Sequence, residues 1–443
     1  MIFSSLEFII FFVFISFLIK VLPKHQTSIL ILSSLFFYSY LKPIFAILII
    51  YFFVSTYLFI KKNSSLKLSI SIILLPLVYF KYSLFLTEIL NLEYLNTYTY
   101  KGDLPLAISF ITFTAIALLI DIKKKTYEEN LNFKDIAEFI LYFPQLIAGP
   151  ILRAHQLIPE LRKKIIFKTA NFKIGLILFL IGFVKKIFFA DTIASIIDPI
   201  FLDPSYYESK DLFKAYILFP FQIYFDFSGY VDMALGVSSI FGINLPINFN
   251  KPYLTTSLTE FWRNWHITLS NWFRDYIYIP LGGSKTSQQK LYFNLVLTMS
   301  IAGLWHGAST NFILWGFLNG IFLCFEKTFK KSFNLSHLLK IFINCFLVFN
   351  LWVVFRISEF SSLLNFFSIL YSNYFSVFDG ENLLLIIIAV ILVLSQKFDN
   401  YEFLKSLSKK INLSILVPIF IIILITGFGI NAGTSEKFIY FNF

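Results

Sequence analysis

Ser257-Leu258-Thr259-Glu260-Phe261-Trp262-Arg263-Asn264-Trp265-His266 leads to Arg274-Asp275-Tyr276 and then, across a further apolar run, to Leu304-Trp305-His306-Gly307. These polar groups sit in a chain that is otherwise almost unbroken hydrocarbon. That contrast decides the fold class and marks where chemistry is to be sought. The stretch opens with a helix start signal, Ser257 as N-cap and Glu260 three residues on, the pattern of a capping box. Trp262, Trp265, Leu269, Trp272, Phe273 and Tyr276 recur at three- and four-residue spacing, which predicts one amphipathic helix over residues 257–276. His266 falls in register with Trp262, Leu269 and Phe273 on its apolar face. Arg263, Asn264, Thr268, Asn271, Arg274 and Asp275 fall mostly on the other.

The 443 residues are 57% hydrophobic, 20% aromatic and only 14% charged, with mean hydropathy +0.74. A soluble chain carries roughly a quarter charged residues. Many apolar runs approach the ~20 residues a spanning helix requires. The reading is an all-α polytopic membrane protein; run length and the lack of period-two alternation exclude an outer-membrane barrel. The net charge of +11 sits in short loops. The positive-inside rule accounts for it, and nucleic-acid binding does not. Cys324 and Cys345 lie in apolar runs and offer neither a disulfide framework nor a zinc site. The N-terminus lacks a basic n-region and a cleavage site, and reads as a first span.

In chain order, runs near 5–22, 28–41, 43–60, 67–86 and 105–120 alternate with Lys-rich and acidic turns. Residues 136–152 hold Pro144, Gly149 and Pro150 in an apolar setting, which predicts a broken or re-entrant helix buried in protein. A span over 172–190 leads to an acidic loop, 191–211, placed outside. The next span, 212–235, carries Asp226, Ser228 and Asp232 at membrane depth, where ionisable groups face a bundle interior. Pro280-Leu281-Gly282-Gly283 reads as a turn. A helical pair over 291–326 surrounds His306, and spans near 341–355, 382–395 and 413–430 follow. The total is about 11–12 crossings in a single membrane domain, 1–443. It divides into N-terminal helices (1–135), a motif-bearing core (136–326) and C-terminal helices (327–443), with the tail from Asn431 outside.

An imidazole such as His306 can take a proton from a hydroxyl or thiol near neutral pH. A histidine bonded to a backbone carbonyl would serve structure alone, and the residues by themselves leave both readings open. His266 leans toward structure or positioning. No serine or cysteine stands beside His306 in a nucleophile-elbow pattern. The spacing His-x3-His or His-Glu-x-x-His is absent, which argues against a metal site built from His266, His306, Asp226 and Asp232. Asp226 and Asp232 read as packing groups with Arg263 or Arg274 as partners.

Several of these segments together resemble the membrane-bound O-acyltransferase family. They are Tyr142-Phe143-Pro144-Gln145-Leu146-Ile147-Ala148-Gly149-Pro150, the run Gln222 to Ala234 around Asp226-Phe227-Ser228-Gly229, Phe261-Trp262-Arg263-Asn264-Trp265-His266, the run Arg274 to Gly283, and Leu304-Trp305-His306-Gly307. The likeness is closest to the bacterial branch that acts on alginate and peptidoglycan, and the closing Phe438 to Phe443 shares it. The resemblance implies that His306 is the catalytic histidine and His266 the family's second histidine. It implies helices around a central funnel or tunnel in the bacterial inner (cytoplasmic) membrane. Asp226, Ser228, Asp232, Trp262, Arg263, Trp265, Arg274, Asp275, Tyr276 and Trp305 would then contact substrate. It further implies acetyl-CoA as cytoplasmic acyl donor and no permanently bound cofactor. A polysaccharide would be the acceptor, with an extracytoplasmic transferase as partner. Alternatives are D-alanyl transfer to teichoic acid, a secondary transporter, which would show internal repeats, or a non-enzymatic scaffold.

The charge pattern makes topology testable. With a membrane-impermeant thiol reagent on intact cells, Asp203→Cys should label at once, and a cysteine beside Lys124 only after permeabilisation.

Overall fold

The computed structural model describes residues 1–430 except 41, 128–129, 330–334 and 373–378, with the side chain of Glu93 also outside the description. Lys330, Lys331, the tail from Asn431 and the closing Phe438 to Phe443 therefore lie outside the described residues. Among those described there is no strand. The helices are α1 (Leu6–Val21), α2 (Gln26–Ser39), α3 (Phe45–Lys61), α4 (Leu66–Leu77), α5 (Ser83–Ile89), α6 (Ile108–Lys123), α7 (Phe133–Leu141), α8 (Phe143–Leu146), α9 (Ala154–Leu161), α10 (Thr169–Val184) and α11 (Asp191–Leu202). They continue as α12 (Ser209–Ile240), α13 (Leu258–Asn264), α14 (Ile267–Phe273), α15 (Gln288–His306), α16 (Thr310–Phe329), α17 (His337–Arg356), α18 (Phe360–Ser372), α19 (Gly380–Ser395), α20 (Tyr401–Lys410) and α21 (Leu413–Ile430).

Short polar side chains start many of them. Ser5, Ser65, Asn132, Ser257, Ser287, Ser336 and Asp379 each accept a hydrogen bond from a backbone N–H of the first turn. Each cap contributes on the order of 1 kcal/mol. Leu66–Ile89, Thr310–Phe329, His337–Arg356 and Leu413–Ile430 are long and apolar enough to cross a membrane by themselves, and α1 with the following segment, bent by 109°, makes a fifth as a pair. Other runs read as spans from the sequence fall in shorter helices of 16 or 17 residues, such as α3, α6 and α19.

The chain forms two compact units. The first takes in residues 1–184, 229–247 and the described residues from 405, and the second residues 185–228 and 248–404. In the first unit the helix breaks where Pro144, Gly149 and Pro150 require it. α7 ends at Leu141, α8 lasts four residues, and residues 147–153 are not helical. The freed Phe143 N–H donates to Ser34 Oγ (3.1 Å), and side chains tie the segment to its neighbours: Gln145 Nε2 donates to Thr114 Oγ1 (3.3 Å) and Tyr142 OH to Ser238 Oγ (3.2 Å). Arg162 closes over Asp135 with two nitrogens (3.0 and 2.9 Å), tying α9 to the capping box of α7.

The second unit begins with a π turn, Lys185–Ala190, that runs directly into α11. The expected acidic outer loop over 191–211 is therefore mostly helix, and only residues 203–208 connect α11 to α12. Asp191 belongs to the helix interior, for a reason given below. The core of this unit is aromatic. Tyr253 OH donates to Pro220 O (2.7 Å) and accepts from Trp352 Nε1 (3.1 Å), while Trp265 packs 4.9 Å from Trp352.

α15 and α16 form a hairpin whose backbones touch. A Cβ on Gly303 would stand 2.1 Å from Phe312 O, and one on Gly316 2.2 Å from Met299 O. Small residues permit this approach where lipid offers no hydrophobic drive for association. Gly316→Ala should lower the thermal unfolding temperature in detergent, since overpacking costs about 1–3 kcal/mol. Gly380→Ala, where a Cβ meets nothing within 4 Å, should leave it unchanged or slightly raised.

Candidate active site

The expected helix over 257–276 is two helices. Ser257 caps α13 as predicted, with Glu260 N–H donating to its Oγ (3.1 Å). The Glu260 carboxylate reaches one residue further back than a capping box requires and accepts from Thr256 N–H (2.8 Å) and Oγ1 (2.9 Å). After Asn264 the helix stops, and His266 adopts a left-handed backbone, φ +43°, before α14 begins. Beyond α14 the chain winds into a π turn, Arg274–Tyr278. The break lets His266 leave the regular apolar stripe. Its ring, 1% exposed, meets Phe227 edge-on at 4.6 Å and Trp305 at 6.1 Å.

His306 is the last residue of α15 and 5% exposed. Its ring lies 4.9 Å from Trp305, 5.3 Å from Trp315 and 5.1 Å from Phe355, all edge to face. The turn after it and the start of α16 are tied to the segment that follows α17: Asn311 Nδ2 donates to Ile357 O (2.7 Å) and Ser309 Oγ to Ser358 O (2.9 Å). Trp305 thus neighbours both imidazoles, and the fold brings together the two residues singled out in the sequence. Trp262 completes one wall, 5.6 Å from Trp315, with its Nε1 donating to Asn319 Oδ1 (3.1 Å).

Asp226 is not partnered by Arg263 or Arg274, as the sequence suggested. Lys186 holds it at 2.7 Å and holds Asp191 at 2.8 Å, with all three side chains buried. The neighbouring Lys185 reaches Asp399 (2.7 Å), whose other oxygen accepts from Tyr224 OH (2.6 Å). Arg274 pairs instead with its own neighbour Asp275 (2.7 Å), half exposed, and Arg263 is exposed. Tyr276 packs on Trp272, 5.1 Å between rings, and Trp265 is fully in the aromatic core. Asp232 falls in the first unit. Ser228 is 1% exposed, and among the described residues its Oγ has no hydrogen-bond partner. Lys185, Lys186 and Asp399 escaped the sequence reading. Two adjacent lysines inside an apolar run were the signal, because cations at that depth pair with carboxylates or face a cavity. Among the described residues, no three His, Cys, Asp or Glu side chains converge as a metal cage.

The family model for membrane-bound O-acyltransferases matches residues 123–366, which include every element just described except the Lys185-bound Asp399. The probable alginate O-acetylase AlgI of Pseudomonas aeruginosa is 36% identical over 301 residues, 66% of this chain and 57% of that one. The peptidoglycan O-acetyltransferase of Helicobacter pylori is 34% identical over 381 residues, 76% of this chain and 72% of that one. The teichoic acid D-alanyltransferase of Bacillus subtilis is 30% identical over 246 residues, 51% and 60%. The match to AlgI spans a little over half of that protein's length. An all-helical apolar chain with two buried histidines on either side of one tryptophan, matched in this way, belongs to the membrane-bound O-acyltransferase family.

Lys186→Met would leave two carboxylates buried without their cation. Breaking a buried pair in this way costs about 3–5 kcal/mol. The variant should lose most of its thermal stability in detergent, and Lys186→Met combined with Asp226→Asn should recover part of it.

Proposed function

We propose that this chain is an O-acyltransferase of the bacterial cytoplasmic membrane that takes acetyl from acetyl-CoA for O-acetylation of a cell-envelope or exported polysaccharide. The observation that carries the reading is His306: a buried imidazole at a helix end, walled by Trp305, Trp315 and Phe355 and fixed by a backbone-tight hairpin. The preference for acetyl rests on likeness. The relatives named for acetylation of alginate or peptidoglycan are 34–36% identical, and those named for D-alanyl transfer 26–30%.

In this reading His306 accepts the proton of an acceptor hydroxyl as that oxygen attacks the thioester carbonyl. The tetrahedral intermediate collapses, the C–S bond breaks, and the imidazolium returns its proton to the leaving thiolate. The products are the acetyl ester and free CoA thiol, with no net change in protons. A base of this kind contributes on the order of 10²–10⁴-fold. A ring enclosure that excludes water strengthens each polar interaction made there. His266 orients the wall through Trp305. Crowded tryptophans favour a two-carbon acyl group over a long one.

The connection between α11 and α12, which the charge pattern places outside, is only residues 203–208. It offers little surface to a hydrated polymer, so a separate extracytoplasmic transferase takes the acetyl group and delivers it to the glycan. The second reading, D-alanyl transfer from a carrier-protein thioester, is favoured by the likeness to the D-alanyltransferase of Bacillus subtilis and is separated by offering each donor in turn.

His306→Ala should abolish acetyl transfer while membrane insertion and protein level hold. More than a tenth of the wild-type rate in the purified variant would rule out His306 as the base. Liposomes with acetyl-CoA on the Lys-rich side and glycan on the other test the relay. Full-rate acetylation without any partner protein would show that one chain suffices.

A further inference from the structure

The break that frees His266 is held by a segment outside both helices. Residues 248–250 lie alongside residues 264–268. Asn250 N–H donates to Asn264 O (3.0 Å), and Ile267 N–H donates to Asn248 O (3.0 Å). The side chain of Asn248 does the rest: its Oδ1 accepts from Thr268 N–H (3.0 Å) and from Thr268 Oγ1 (2.8 Å). A helix end always leaves carbonyls and N–H groups without intrahelical partners, and away from water they must be met by protein. Residues 248 and 250 meet the last carbonyl of α13 and the first N–H groups of α14. Between these bonds sits His266 in the left-handed region, a conformation that costs a non-glycine residue about 1–2 kcal/mol and persists only where its surroundings enforce it. Phe249, between the two bridging residues, packs at 5.1 Å on both Phe227 and Trp265, so the same three residues also shape the ring's surroundings.

We propose that Asn248 is a positioning residue of the active site, one that holds His266 against Trp305 by bridging the broken helix. It does not touch the reacting atoms through these bonds. It acts by fixing the backbone on either side of His266. Asn248 is 1% exposed and, among the described residues, its Nδ2 has no hydrogen-bond partner, so the amide is not retained to satisfy its own donor. Because Oδ1 faces a backbone N–H, the orientation of the amide is fixed: the acceptor serves the helix and the donor is left over. A residue chosen for packing alone would be an aliphatic one of the same volume. The inference rests on the proposed acyl transfer for its kinetic arm, and on geometry alone for its chemical arm.

The chemical arm is modification of His266 by diethylpyrocarbonate, read by peptide mass on the full chain in detergent. Asn248→Ala should raise the rate of His266 modification at least tenfold. Asn248→Ser, which keeps a short acceptor without burying a charge, should fall between wild type and alanine and serves where the alanine variant folds poorly. The kinetic arm is acetyl transfer from acetyl-CoA. Asn248→Ala should lower kcat at least tenfold with KM for the donor within twofold, and should slow a His266→Ala chain no further. Wild-type modification and wild-type kcat in Asn248→Ala, or losses that multiply in the double variant, would overturn the proposal. Absence of acetyl transfer by the wild-type chain would count against the proposed function alone, since the modification arm reads the bridge without it.

Discussion

A backbone group freed where a helix breaks has no water to turn to inside an apolar protein, and leaving it unmet costs about 1–3 kcal/mol. This constraint shapes the parts of the chain that matter most. At the break before α8 the freed N–H of Phe143 goes to a serine side chain on another helix. At residues 264–268 they go to a neighbouring backbone and one asparagine. Each break is possible only because a second segment is already in place to receive it. The irregular stretches therefore depend on tertiary structure more than the spans do, and they are where the side chains leave the helical register.

The two histidines are held by different means. His306 ends a helix whose partner lies at backbone contact, so its place is set by steric exclusion along α15 and α16. His266 stands at a discontinuity, so its place is set by hydrogen bonds. Trp305 lies beside both rings and links the two arrangements. A residue fixed by shape tolerates changes in polarity nearby, and one fixed by hydrogen bonds tolerates changes in volume; the two should respond to different kinds of substitution.

Much of this was legible in the sequence. The apolar runs, the Ser257 cap, the break at Pro144 and Pro150, the turn at Gly282 and Gly283 and the helical pair around His306 all follow from local rules, and the structure bears them out. The break at His266 was hidden because the helical periodicity continues across it: Trp262, Leu269 and Phe273 keep their spacing whether or not the helix is whole. Only Asn248, 20 residues before the Thr268 it bonds, could have betrayed it, and a lone asparagine in a loop carries no such signal. The pairing of Lys186 with Asp226 was equally out of reach, since the partners lie on different segments. Charge in a sequence implies exposure, whereas Asp191 is buried against the cation of Lys186.

The π turn at Lys185–Ala190 explains how that cation serves two helices at once. Lys186 and Asp191 are five residues apart, and on a regular α-helix side chains at that spacing diverge by about 140°. The wider turn, with bonds from i to i+5, brings them onto one face, and from there Lys186 also reaches Asp226 on α12. Apolar spans commonly absorb a one-residue insertion or deletion by sliding in the lipid. This segment has no such slack: changing its length by one would part the lysine from one carboxylate or the other. It works as a ruler, fixing by charge the register that grease alone would leave free to drift.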